Sequence, residues 1–157
     1  DFTLGSVHRV GEEDVSWPEL AKKFFGRLEE EQAYGRYFKE VESLVESRLF
    51  DCLGHLDICK KYGHLKYGPM LYKKYERSYK RLLKLTVQSD MMLEINTSGL
   101  RQPFRETYPP YPAVQEYLKM GGTKLTLGSD AHRVQDIGQD FAKILNDIPQ
   151  LNKIKRK

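Results

Sequence analysis

Two rhythms of apolar and polar positions run along the chain, and the switches between them predict its elements. Four short apolar-rich segments, residues 2–8, 51–58, 91–96 and 124–128, are bounded by turn-forming or polar residues and read as strands. Between them the spacing lengthens to three and four. Leu71, Tyr75, Tyr79, Leu82 and Leu83 follow that helical period and predict a helix over residues 70–89. A long helical region opens at Trp17-Pro-Glu-Leu20, with Ser16 as N-cap and Pro18 in the first turn. It runs to about residue 47 with a break expected near Gly35. Residues 60–69 read as a polar loop, and residues 99–112, with four prolines, as another. A short helix over 113–120 stops at Gly121-Gly122, and a last helix spans about 136–148.

Strands separated by helices imply β-α-β units and a parallel sheet, an α/β fold. Ligands and reactive groups on such sheets gather at the carboxyl ends of the strands. All four predicted strands end in polar groups: Ser6 and His8, His55 and Asp57, Glu94 and Asn96, Asp130 and His132. In Leu125-Thr-Leu-Gly-Ser-Asp-Ala-His132 the acid and the imidazole stand two apart. Alternate residues on a strand share a face, so the two are expected to point together at one site at the strand's C-terminal mouth. A carboxylate oxygen beside an imidazole nitrogen suits zinc, manganese or iron.

Composition narrows the picture modestly. The 157 residues suffice for one domain with a real core, and 31% charged against 39% hydrophobic is an ordinary globular balance. The net charge of +4 fits an anionic substrate, but the basic residues are scattered rather than striped, which argues against a nucleic-acid partner. The basic tail at residues 153–157 reads as a solvated end. Two cysteines, Cys52 and Cys59, allow at most one disulfide and point to a reducing compartment, the cytoplasm. No apolar run approaches the roughly 18 residues that span a membrane. The triplet Asn96-Thr-Ser98 matches a glycosylation acceptor and is read as chance. Half-buried packing on helices accounts for most of the ten tyrosines.

Gly5-Ser-Val-His8, Gly54-His-Leu-Asp57, Leu93-Glu-Ile-Asn-Thr-Ser-Gly-Leu-Arg101 and Leu127-Gly-Ser-Asp-Ala-His132 occur in that order. As a set they resemble the histidinol-phosphate phosphatases of the polymerase and histidinol phosphatase (PHP) superfamily. The resemblance implies part of a distorted, TIM-like (β/α)7 barrel with up to three divalent metal ions at its mouth. It also implies hydrolysis of L-histidinol phosphate in histidine biosynthesis. Carried over position by position, His8, His55, Asp130 and His132 match metal ligands. The family's opening His-x-His strand has no counterpart in this sequence. The expectation is therefore a single metallophosphatase domain lacking its N-terminal strands, with a sheet edge left open.

The chemistry asks for such groups in any case. A phosphomonoester is a dianion with a poor leaving group, and clustered metal ions neutralise charge and acidify water. Asp130 would hold metal and orient the nucleophile, with His132 as a neutral nitrogen ligand. Arg101 would grip phosphate oxygens in a bidentate way. Glu94 and Asn96, on one strand face, would receive the imidazole and amine of histidinol. Asp57 would hold an imidazole's tautomer.

Blander readings remain beside these. Asp57 would equally cap a turn, Glu94 would be a buried acid paired with an arginine, and Arg101 a loop salt bridge. His64 reads as a surface or lid residue. At the level of the whole chain, the alternatives are another PHP-type phosphoesterase or nuclease, or an inactive partial domain. The oligomeric state and the group that assists the leaving oxygen are left open by the sequence.

Overall fold

The structure, a computed structural model, describes residues 2–148; the basic tail at 153–157 lies outside the described residues. Strand β1 (Leu4–Gly5) leads into a hairpin of β2 (Arg9–Val10) and β3 (Glu13–Asp14). Helices α1 (Pro18–Arg27) and α2 (Glu30–Ser47) follow, then β4 (Cys52–Leu53) and α3 (Lys60–Tyr67). The second half continues with α4 (Glu76–Gln88), β5 (Met92–Asn96), α5 (Tyr111–Lys119), β6 (Leu125–Gly128) and α6 (Phe141–Asp147).

The four expected strands form one parallel sheet in the order β1-β4-β5-β6. Its register pairs Leu4 with Cys52, Cys52 with Met92, and Leu93 with Leu125. Among the described residues the sheet is open, with β1 and β6 at its edges. The strands are shorter than expected. The segment expected at 51–58 pairs only at Cys52–Leu53, because the chain turns at His55 (φ 20°) and closes a turn from Ile58 N–H to the His55 carbonyl at 2.9 Å. The hairpin is a finding: its two-residue strands are too short for a periodic signal.

Helix α2 buries Ala33, Tyr34, Tyr37, Phe38, Val41 and Val45 at helical spacing, and α4 buries Tyr79, Leu82 and Leu83. Each such leucine removed from water stabilises the fold by roughly 1.5–3 kcal/mol. The helix break lies at Leu28, which is extended (φ −115°, ψ 153°), and not at Gly35, which sits inside α2. Ser16 is not the N-cap. The Asp14 carboxylate instead organises the helix start, accepting from Ser16 N (2.7 Å), Ser16 Oγ (2.9 Å) and Trp17 N (2.8 Å).

Residues 60–67 are helix α3 rather than loop, and Lys60 is buried. Its ammonium meets the Asp57 carboxylate at 2.9 Å and donates to the Thr107 carbonyl at 2.9 Å. The helix expected over 70–89 begins as a single 3-10 turn, Tyr72–Tyr75. The final helix is split: a 3-10 turn at Val134–Asp136 precedes α6, with Gly138 at φ 68° between them. Tyr34, Tyr37, Tyr79, Tyr108 and Tyr117 are fully rather than half buried. Cys52 and Cys59 are unpaired and buried. No helix among the described residues is long and apolar enough to cross a membrane.

Candidate functional site

The carboxyl ends of the four parallel strands point to one side of the sheet, and the candidate residues lie there in the connecting turns. His8 stands three residues beyond β1, and His55 two beyond β4. Their rings meet edge to face, with centroids 4.9 Å apart. His55 is buried, and its backbone N–H donates to Glu94 Oε2 at 2.6 Å. Its ring nitrogen Nδ1 is buried without a hydrogen-bond partner. Burial above all, and then the neighbouring His8, push the His55 imidazole down to about 4, with Asp130 opposing. His55 is therefore neutral near pH 7, the form in which an imidazole nitrogen binds a metal.

Asp130 and His132 come together differently from the strand geometry expected. Strand β6 ends at Gly128, and Asp130 takes a left-handed conformation (φ 48°) in the turn beyond it. The His132 ring folds back so that Nδ1 lies 2.9 Å from the Asp130 carbonyl and 3.9 Å from its Oδ1. This turn is anchored from two sides. Arg101 Nη2 donates to the Ser129 carbonyl at 2.7 Å, and Gly138 N–H donates to Ser129 Oγ at 3.2 Å. The second guanidinium nitrogen of Arg101, Nη1, is buried without a partner.

His8, Asp130 and His132 line one cleft of about 480 Å³. Its other walls are Ser16, Trp17, Pro18, Ile58, Lys61 and Tyr62. A roomier cleft of about 630 Å³ lies between α1 and α3, but no histidine lines it. Size does not select the site here; the donor chemistry does.

Three other candidates face inward. The Glu94 carboxylate accepts from His55 N and from Asn96 Nδ2 (3.2 Å), and it packs so tightly on Gly128 that any side chain there would collide with it. The Asn96 side-chain oxygen Oδ1 caps the 3-10 turn Thr97–Arg101 by accepting from Ser98 N–H at 3.0 Å. Both side chains brace the site through these hydrogen bonds. Asp57 Oδ2 is held by Lys60 and by Tyr79 Oη at 2.5 Å, and its Oδ1 has no partner. It orders the turn after His55 through a buried ion pair rather than through an imidazole. His64 turns away, with its Nδ1 3.1 Å from the Lys60 carbonyl and its ring on Phe104.

The donor set suits a divalent ion in kind: two imidazoles in contact, one with an orphaned nitrogen, and a carboxylate nearby. In number it is sparse. Among the described residues no three His, Cys, Asp or Glu side chains gather closely enough to hold an ion by themselves. Trp17, Lys61 and Tyr62 were not legible as site residues. The one available signal was a tryptophan placed directly before the proline that opens a helix.

Known proteins resemble this chain in sequence and in fold. The PHP domain family matches residues 1–98. A Deinococcus radiodurans protein named "Probable histidinol-phosphatase" is 34% identical over 152 residues, covering 94% of this chain and 54% of the relative. A Lactococcus lactis "Histidinol-phosphatase" is 26% identical, covering 84% and 48%. The solved structure of the histidinol phosphate phosphatase of Lactococcus lactis, complexed with zinc, L-histidinol and phosphate, superposes with a TM-score of 0.78 at 23% identity. That match covers 98% of this chain and 56% of the other, and it supports the α/β, TIM-like fold. The chain spans about half the length of the curated relatives it matches. With the family match extending over more than half of its residues, this chain belongs to the PHP domain family.

Proposed function

We propose that this chain carries out, in a protein of the relatives' kind, metal-dependent hydrolysis of L-histidinol phosphate to L-histidinol and phosphate. The observation that carries this reading is the neutral, buried His55 with an unbonded Nδ1, set against His8 and near Asp130 at the strand ends. Relatives named histidinol-phosphatase, matched over most of this chain, supply the substrate. The residues would form one PHP-type domain, working in the cytoplasm, where two buried unpaired cysteines stay reduced.

His8, His55, Asp130 and His132 would hold the divalent ion, zinc in the first instance. When bound, such an ion supplies charge neutralisation at the phosphoryl oxygens and a more acidic water. The chain's own groups then do the rest. His55 stays unprotonated at neutral pH and keeps its lone pair available. Glu94 fixes the His55 backbone, so the imidazole does not wander. Arg101 positions the Asp130 turn through Nη2, while its buried, unpartnered Nη1 is left to donate to a phosphate oxygen.

The sparse donor set supports a second reading, a chain that binds metal weakly and turns over little by itself. One experiment separates them: bound zinc per chain and phosphate release from L-histidinol phosphate, measured on the same sample. Activity that disappears with a chelator and returns with zinc supports the phosphatase. Less than one zinc per chain and no phosphate release support the second reading.

A further inference from the structure

With Glu94 and Asn96 turned inward, the organic part of a substrate needs another wall. The cleft that holds His8, Asp130 and His132 offers one, built from Trp17 and Tyr62. Trp17 is 62% exposed, unusual for the largest apolar side chain. It is nonetheless held in place. The Asp14 carboxylate accepts its backbone N–H together with both donors of Ser16, and Pro18 fixes the next step of the chain. Tyr62 rises opposite from α3, half-buried, with the Lys61 ammonium over its ring at 5.5 Å from the centroid. Pro18 and Tyr62 also line the neighbouring 630 Å³ cleft, so the aromatic wall continues away from the histidines. An exposed indole on a fixed stretch of backbone, beside donor groups, is a platform for a flat ring.

We propose that Trp17 and Tyr62 form the specificity platform of this site and select phosphomonoesters whose alcohol carries a planar heteroaromatic ring. The inference rests on the phosphomonoesterase reading for the other end of the substrate. The imidazole of histidinol is such a ring; a glycerol-like alcohol is not. Stacking on the indole places the ester oxygen towards His8 and Asp130, and an aliphatic alcohol forfeits that contact.

Trp17 is the only tryptophan in the chain, so its fluorescence reports on the platform independently of turnover. The unaltered chain is titrated with L-histidinol, with inorganic phosphate and with glycerol phosphate. A saturable change in emission with L-histidinol is expected, with a response about tenfold weaker to the other two. An equal response to all three, or none to L-histidinol, overturns the platform. Kinetics supply the second arm. In Trp17→Ala and in Tyr62→Leu, the ratio of kcat/KM for histidinol phosphate over glycerol phosphate should fall about tenfold, and Trp17→Phe should restore most of it. An unchanged ratio with intact phosphate release removes the platform and leaves the phosphatase. A ring-selective fluorescence change without any phosphate release removes the phosphatase and leaves the platform.

Discussion

Two histidines show how differently the two sides of this donor set are held. His55, beyond β4, is only 4% exposed and donates its backbone N–H to the Glu94 carboxylate on the adjacent strand. The His132 side chain, beyond β6, is 80% exposed and is tied to its own turn at the Asp130 carbonyl. The first side is continuous with the core, so its geometry is set by folding. The second is a surface turn braced by Arg101, so its geometry is local. Changes on the His55 side should therefore disturb stability and binding together, and changes on the His132 side should disturb binding alone.

The sharpest way to break that contrast is the buried pair behind His55. Asp57 and Lys60 are both essentially inaccessible. Removing Asp57 leaves the buried Lys60 ammonium with only the longer 3.6 Å contact to Glu106 as an ion pair. Asp57→Ala should destabilise the fold by about 3–5 kcal/mol, read as a lowered midpoint in urea unfolding. The double change Asp57→Leu with Lys60→Met should recover most of that loss. If Asp57→Ala unfolds at the parent's midpoint, the His55 side is not integral to the core.

Next in size is Glu94→Ala, which leaves the buried His55 N–H without its acceptor. A loss of about 1–3 kcal/mol is expected, together with weaker zinc binding, since the imidazole is no longer fixed. On the opposite side, His132→Ala should weaken zinc binding while shifting stability by less than about 0.5 kcal/mol. Calorimetric zinc titration and urea unfolding on the same variants give both readings. Equal stability losses for Glu94→Ala and His132→Ala would erase the contrast.

How far these features were legible in the sequence follows from how local their causes are. Helix α4 carries its own apolar period, which is legible in the sequence, whereas α2 is legible only as part of one long helical region whose break falls at Leu28 and not at Gly35. Helix α3 was missed because Lys60, Lys61, His64 and Lys66 read as a wet loop. Lys60 is buried because Asp57, Glu106 and the Thr107 carbonyl, the last 47 residues away, receive its charge. Asp130 and His132 were expected to alternate on a strand, yet the left-handed backbone at Asp130 ends that rule one residue past Ser129. Glu94 and Asn96 were correctly put on one face. Nothing in their spacing says that His55 and Ser98 would claim their oxygens. The strand-end chemistry was readable as a set, while the direction of each side chain depended on partners distant in sequence.

The smallest expected effect lies at the foot of the sheet. The Asp51 carboxylate accepts from Thr3 Oγ1 and Thr3 N, both at 2.7 Å, and ties the start of β4 to β1. Those hydrogen bonds, from the Thr3 hydroxyl first, hold its carboxyl below the usual range. A depressed carboxyl adds stability above its unfolded-state value and loses it as pH falls through the folded-state value. Asp51→Asn should therefore lower stability slightly at neutral pH and least in acid, flattening the acid limb of a stability-versus-pH curve. A steeper acid limb in the variant would contradict the assignment.

The most direct test of the whole account is phosphate release from L-histidinol phosphate by the zinc-loaded chain, compared with His55→Ala under the same loading. The account predicts chelator-sensitive release by the unaltered chain and its loss in the variant. Release that persists in the chelated protein, or is equal in His55→Ala, would contradict it.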